Sequence, residues 1–129
     1  PNIYPSLYYR DANAAIEWLN RVFGFTTLLN VPGENGTVAH AELQLGSGAI
    51  MLGSAGNAPG TKSPLDLGGV TGGICVVVDD VRAHYERAKA AGVEITNEYE
   101  EKDYGGSGYG CRDLEGHEWS FGSYIPELR

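Results

Sequence analysis

Gly73-Ile74-Cys75-Val76-Val77-Val78-Asp79-Asp80-Val81 joins two kinds of order in one short run. Residues 74–78 are mostly β-branched, which suits a pleated strand. Asp80 then stands where a carboxylate can accept the free N–H groups that open a helix. Val81, Tyr85 and Ala88 follow at helical spacing, and Gly92 closes the helix in a left-handed turn. Downstream, residues 93–97 predict a strand, and Tyr104-Gly105-Gly106-Ser107-Gly108 a flexible stretch. Residues 109–112 predict another strand, and the turn Asp113-Leu114-Glu115-Gly116 feeds a last strand at 117–124. The run therefore opens a strand–helix–strand–strand–strand unit.

The same order precedes it. Residues 3–9 have strand character. Residues 11–23 form a helix candidate that Asp11 or Asn13 can cap, with Ala12, Ala15, Leu19, Val22 and Phe23 on one apolar stripe and Gly24 at its end. Residues 25–31 read as a strand and Pro32-Gly33-Glu34-Asn35-Gly36 as a turn. Residues 37–45 alternate and lead through Gly46-Ser47-Gly48 into residues 49–52. Asp11 matches Asp80 at an offset of 69 residues, while Gly24 matches Gly92 and Gly48 matches Gly116 at 68. So constant an offset argues for internal duplication. The expected fold is α+β, two tandem βαβββ modules at 1–53 and 73–129. Between them, residues 54–72 turn Gly-, Pro-, Ser- and Asn-rich and read as a linker.

Composition narrows the function. At 129 residues, 42% hydrophobic and 20% charged, the chain supports one domain, or two half-units sharing a core. No apolar run approaches the roughly 18 residues of a membrane span, and Pro1-Asn2-Ile3-Tyr4-Pro5 lacks the layout of a secretion signal, so a cytoplasmic protein is expected. Cys75 and Cys111 lack metal-pair spacing and are expected as reduced thiols. The formal net charge of −8 and the absence of any Lys/Arg cluster argue against nucleic acid as a partner. The same charge attracts a cationic ligand at long range. No phosphate loop, nucleophile elbow or dinucleotide fingerprint occurs.

Three segments carry a resemblance over nearly the whole chain: Gly73 to Val81, Ala88-Lys89-Ala90-Ala91-Gly92, and Cys111-Arg112-Asp113-Leu114-Glu115-Gly116-His117-Glu118-Trp119-Ser120-Phe121-Gly122. They resemble the vicinal oxygen chelate superfamily, which includes glyoxalase I, extradiol dioxygenases, and fosfomycin and bleomycin resistance proteins. Leu114 departs from the proline common in that turn. The resemblance implies sheets that curl around a cup with helices outside, and a homodimer whose cups are shared between subunits. In metal-dependent members each unit supplies a ligand from its first and its last strand. The corresponding positions here are Tyr4, Met51, Gly73 and Ser120, none a credible ligand for the family's ions. No metal and no cofactor are therefore expected, and the subgroup looks like the metal-free bleomycin-resistance-like proteins.

Alternation assigns faces, because successive strand residues point to opposite sides. Leu43, Leu45, Ile50, Leu52, Ile74, Val76, Val78, Trp119 and Phe121 are expected under the helices. Tyr4, Ser6, Tyr8, His40, Glu42, Gln44, Met51, Cys75, Val77, Glu118 and Ser120 are expected in the cup. Mixed aromatic, polar and thioether side chains suit a small organic ligand. His40 and Glu42, neighbours on one strand face, read as base and partner, as donors to a metal of their own, or as a hydrogen-bonded pair at a solvent-filled mouth. His84 is expected on the surface, and His117 in a structural role. Tyr104, Tyr109 and Arg112 surround the Gly-rich stretch, which is either a flap over the ligand or a loose hairpin connection. Ligand contacts are thus expected from Tyr4, Ser6, Tyr8, His40, Glu42, Met51, Cys75, Tyr104, Tyr109, Arg112, Glu118 and Ser120, with no catalytic residue assigned. The expected function is metal-independent sequestration of an aromatic or cationic natural product. The alternative is a lyase, isomerase or oxygenase that uses acid–base residues of the cup or a non-standard metal site.

Overall fold

The computed structural model describes residues 1–103 and 105–129. The chain divides into two compact units, Pro1–Gly69 and Val70–Arg129. The first contains β1 (Ser6–Tyr9), α1 (Ala12–Trp18), β2 (Thr26–Pro32), β3 (Val38–Leu45), β4 (Gly48–Ser54) and α2 (Pro64–Leu67). The second contains β5 (Gly73–Val77), α3 (Val81–Ala90), β6 (Glu94–Glu101), β7 (Ser107–Arg112) and β8 (Glu118–Gly122). Each unit forms one four-stranded sheet, in the order β1-β4-β3-β2 and β5-β8-β7-β6. The first strand pairs in parallel with the last, and the other pairings are antiparallel. A parallel pair needs a long crossover, which the helix and the meander provide. The expected α+β fold of two βαβββ modules is therefore present, with the same strand order in both.

The two helices start by the same device. The Asp11 carboxylate accepts from the Ala14 N–H and the Asp80 carboxylate from the Ala83 N–H, each at 3.0 Å. α1 continues as a wider π-type turn, Leu19–Phe23, and ends at Gly24 with φ 89°. Its stripe of Ala12, Ala15, Leu19, Val22 and Phe23 is buried along with Val38, Ala41, Leu43, Ile50 and Leu52 of β3 and β4. In the second unit, Val81, Tyr85 and Ala88 of α3 are buried together with Tyr109, Cys111, Trp119 and Phe121. These sets are the apolar phases of helix and strand meeting on one sheet face, which is the main favourable term for so small a unit.

One segment differs from expectation, and at another the structure selects one of the two readings. The stretch read as a linker holds α2, whose start is a capping box: the Ser63 side chain takes the Leu65 N–H at 3.2 Å and Asp66 takes the Ser63 N–H at 3.1 Å. Pro64 sits at the first helical position, where its missing N–H costs nothing. Asp66 also pairs with Arg10; that guanidinium, with the Ser63 N–H, holds its carboxyl below the ordinary range. The Gly-rich stretch is a hairpin connection: the Lys102 N–H donates to the Gly106 carbonyl at 2.8 Å, and Ser107 already pairs with Glu101.

The cysteines are free thiols in contrasting places, Cys75 exposed and Cys111 fully buried. Burial, with Asp113 and Glu118 adding to it, pushes the Cys111 thiol up to about 12. Since the thiolate is the reactive form, a short iodoacetamide pulse on native protein at pH 8 is expected to add one carbamidomethyl group, at Cys75. Peptide mass spectrometry after denaturation should find both. Rapid native labelling of Cys111 would mean that β7 opens readily.

Candidate functional site

Each sheet leaves one face uncovered by its helix, and of the sorted side chains Tyr4, Glu42, Gln44, Met51, Cys75, Glu118 and Ser120 line recesses there. In the first unit the register sets Ser6, Met51, Glu42 and Leu29 in one row across β1, β4, β3 and β2. A recess of about 380 Å³ is lined by Tyr4, Leu28, Glu42, Gln44, Ala49 and Met51. Leu28 reaches it because the β2–β3 register slips between Thr27 and Leu29; a bulge of this kind re-aims a side chain. His40 Nε2 lies 2.8 Å from Glu42 Oε2, with both side chains more than a third exposed. Their exposure makes the pair a solvated contact in its present state, with modest energetic weight.

In the second unit the matching row is Cys75, Ser120, Gly110 and Asn97 across β5, β8, β7 and β6. A recess of about 360 Å³ lies over it, reached by Gly73, Cys75, Thr96, Asn97, Glu118 and Ser120. The Ser120 hydroxyl donates to Cys75 Sγ at 3.1 Å. Arg112 donates to Glu118 at 2.9 Å through Nε and to Glu94 through Nη1. Glu94 first, then Glu118, raise the Arg112 pKa above its ordinary value. Arg112 and Glu118, both expected as ligand contacts, thus satisfy one another along the rim.

Several expectations need correction. Tyr109 is only 3% exposed and faces α3: its ring stacks on Phe121 at 5.4 Å, and its hydroxyl lies 2.6 Å from His84 Nδ1. Burial pushes its phenol well above the ordinary range. It belongs to the core, and the reason is parity: Tyr109 and Arg112, three apart on one strand, cannot share a face. His84 is likewise not a free surface group; it stacks on Phe121 at 4.1 Å. Tyr4 precedes β1 and donates from its hydroxyl to the Pro1 carbonyl at 2.8 Å. Tyr8 is half-buried. Tyr104 lies outside the described residues. The sorting of Leu43, Ile50, Leu52, Trp119 and Phe121 to the buried face agrees with the structure.

The positions corresponding to family metal ligands do not fit a metal. Gly73 has no donor, and even a Cβ there would come to 3.0 Å from the Glu118 carbonyl oxygen. Met51 and Ser120 offer a soft thioether and a neutral hydroxyl. Their cross-strand partners in register are Ser6 and Cys75 rather than Tyr4 and Gly73, and these bring no imidazole or carboxylate. Among the described residues no three His, Cys, Asp or Glu side chains gather as a metal site requires.

Sequence reasoning missed Thr96, Asn97 and Gly110. Thr96 is the extra residue where the β6–β7 register slips between Ile95 and Asn97, so strict alternation assigns it wrongly. Gly110 was the available signal, because glycine inside a strand marks a bulge or a close approach.

No helix among the described residues is long and apolar enough to cross a membrane. The chain is 33% identical to an uncharacterised protein of Mycobacterium bovis, over 99% of this chain and 86% of that one. It is similar to the crystal structure of TioX from Micromonospora sp. ML1, with 37% identity, a TM-score of 0.77, and 97% of this chain and 99% of that one covered. The fosfomycin resistance protein FosX of Listeria monocytogenes shares the fold at 13% identity, with a TM-score of 0.68 and 97% and 92% of the two chains covered. The sequence model of the Glyoxalase/Bleomycin resistance protein/Dioxygenase superfamily matches residues 4–121, and with the duplicated βαβββ fold this means that the chain belongs to that superfamily.

Proposed function

We propose that the protein is a metal-independent, homodimeric binder that sequesters an aromatic or cationic natural product on the uncovered faces of its sheets. The observation that carries this reading is the recess of the first unit, which Tyr4, Leu28 and Met51 line together with Glu42. Apolar and aromatic walls with a few polar anchors are what an organic ligand needs, and a thioether adapts to irregular rings. The net charge of −8 adds long-range attraction for a cation. Superfamily membership supports small-molecule binding in general, and the donor chemistry at Met51, Gly73 and Ser120 favours binding without a metal.

The test is calorimetric titration with a panel of cationic glycopeptide antibiotics and neutral aromatic natural products, with and without EDTA. Saturable binding that ignores EDTA is expected. Met51→Ala should weaken every ligand about 5- to 10-fold. Glu42→Gln should weaken only cationic ones, by about 2- to 5-fold and less at high salt. Binding that requires a divalent ion, or no binding across the panel, would overturn the proposal. Sedimentation analysis checks the dimer. The 2.8 Å His40–Glu42 contact favours a second reading, acid–base catalysis of lyase, isomerase or oxygenase type; product formation from a bound ligand, abolished by His40→Ala, would establish it.

A further inference from the structure

We infer that the recess of the second unit is a cradle for an uncharged amide edge of the ligand, built by Gly110, Thr96 and Asn97. The inference rests on the binding role proposed above and names a part of what is bound.

The Thr96 hydroxyl is the observation that needs explaining. Among the described residues, its oxygen is the one buried side-chain polar atom without a hydrogen-bond partner. Such a group has given up its bonds to water with none made in return, and valine would fill the same shape at no such cost. A partner that the free chain does not supply accounts for the hydroxyl.

Geometry shows where that partner would lie. A Cβ built on Gly110 would meet Asn97 Nδ2 at 2.9 Å and Thr96 Oγ1 at 3.1 Å. Both polar atoms therefore sit over the glycine itself, in room that any side chain at 110 would take from them. The bulge brings them there by turning Thr96 and Asn97 toward one opposing residue, Gly110. The first module has the same slip at Leu28, but an apolar residue occupies the bulge, and Glu42 stands in the row where the second module has Gly110. The polar cradle is thus specific to one copy of a duplicated device.

The chemistry of the lining selects the group. Among the described residues, Glu118 is the only carboxylate lining the recess, and Arg112 holds it. Beyond it, the Asn97 amide and the Thr96 and Ser120 hydroxyls are neutral groups that both donate and accept. An amide, with one carbonyl and one N–H side by side, matches such a set; among the described residues the lining offers a carboxylate no cation, and an ammonium would have to compete with Arg112 for Glu118. A ligand carbonyl beside Asn97 takes its N–H, and because the Thr96 oxygen is buried in the free chain, the Thr96 side chain must rotate toward the recess for its hydroxyl to join. At about 360 Å³ the recess falls in the range of small-molecule sites, about 300–1,000 Å³.

The test uses the full chain, 15N-labelled, titrated with N-acetyltyrosinamide (neutral), N-acetyltyrosine (anionic) and tyramine (cationic). The neutral amide is expected to shift the backbone resonances of Thr96, Asn97, Gly110 and Ser120, and the charged analogues to leave them several-fold less perturbed. Thr96→Val should weaken N-acetyltyrosinamide about 3- to 10-fold while raising the thermal midpoint of the free protein. Gly110→Ala, whose Cβ displaces only flexible side-chain ends, should abolish the shifts at these residues. Unchanged binding by Thr96→Val with the midpoint raised would overturn the inference, because the hydroxyl would then be a mere defect. Shifts confined to residues away from the cradle would also overturn it and leave the binding role standing. No shifts with any of the three compounds, together with failure of the antibiotic panel, would overturn both.

Discussion

Replacing Asp113 by alanine is expected to lower the stability of the second unit by about 3–4 kcal/mol. Asp113 is 6% exposed, and its carboxylate accepts from the Glu115 and His117 N–H groups at 3.1 and 3.0 Å and from Trp119 Nε1 at 3.0 Å. Each is a hydrogen bond to an ionised acceptor, the stronger class. Alanine would leave those donors without their acceptor, and the cost of an unmade bond exceeds the net gain of a made one. Asp113→Asn keeps one acceptor oxygen but turns an N–H toward the indole N–H, so about half the loss is expected. Urea denaturation followed by tryptophan fluorescence should show the midpoint falling by at least about 1 M for the alanine variant. A change within about 0.5 kcal/mol would show that the turn holds itself without the carboxylate. The consequence reaches the open face, because this turn fixes the β7–β8 register that sets Gly110 opposite Ser120.

The parts of the fold legible in the sequence were those where one physical signal acted alone. The β-branched run at 74–78, the Asp11 and Asp80 caps and the glycines at 24 and 92 each specify local backbone without help from distant contacts, and the near-constant offset exposed the duplication. α2 was legible too, as Ser63-Pro64-Leu65-Asp66, but its Gly-rich surroundings masked a capping signal shorter than one hydrophobic period. The π-type turn after Trp18 carries no comparable local signal.

The candidate site was legible only as far as alternation runs without slipping. Met51, Glu42, Cys75 and Ser120 fall on the uncovered faces because β3, β4, β5 and β8 pair in an unbroken register where these residues sit. The β2–β3 and β6–β7 pairings each carry two slips, and a slip reverses the facing of the residues beyond it. Thr96 and Leu28 were therefore invisible to a period of two. Tyr109 was misplaced for the opposite reason: alternation was decisive there, and attraction of an aromatic beside glycines to a flap outweighed it. What no local pattern supplies is the partner of a side chain, so the Arg112–Glu118 pair and the unsatisfied Thr96 hydroxyl appear only in three dimensions.

Phe121→Ala is expected to cost about 3–5 kcal/mol, the range for truncating a well-packed aromatic. Phe121 is 1% exposed, with ring centroids of His84, Tyr109 and Trp119 at 4.1, 5.4 and 6.0 Å. Its ring is the hub on which α3 meets β7 and β8, so its removal leaves a cavity lined by rings too rigid to collapse into it. Phe121→Leu retains most of the volume and should cost less than about 1.5 kcal/mol. Both variants test how far the core and the open face are separable, because Ser120, on the adjacent position of β8, points the other way. Under conditions where the variants remain folded, N-acetyltyrosinamide should perturb Thr96, Asn97 and Gly110 in Phe121→Leu as in the parent chain, while the His84 ring protons move by loss of the stacked neighbour. If the leucine variant kept its stability and lost the cradle shifts, β8 would be transmitting core packing to the recess, and the two faces of this sheet would have to be treated as one mechanical element.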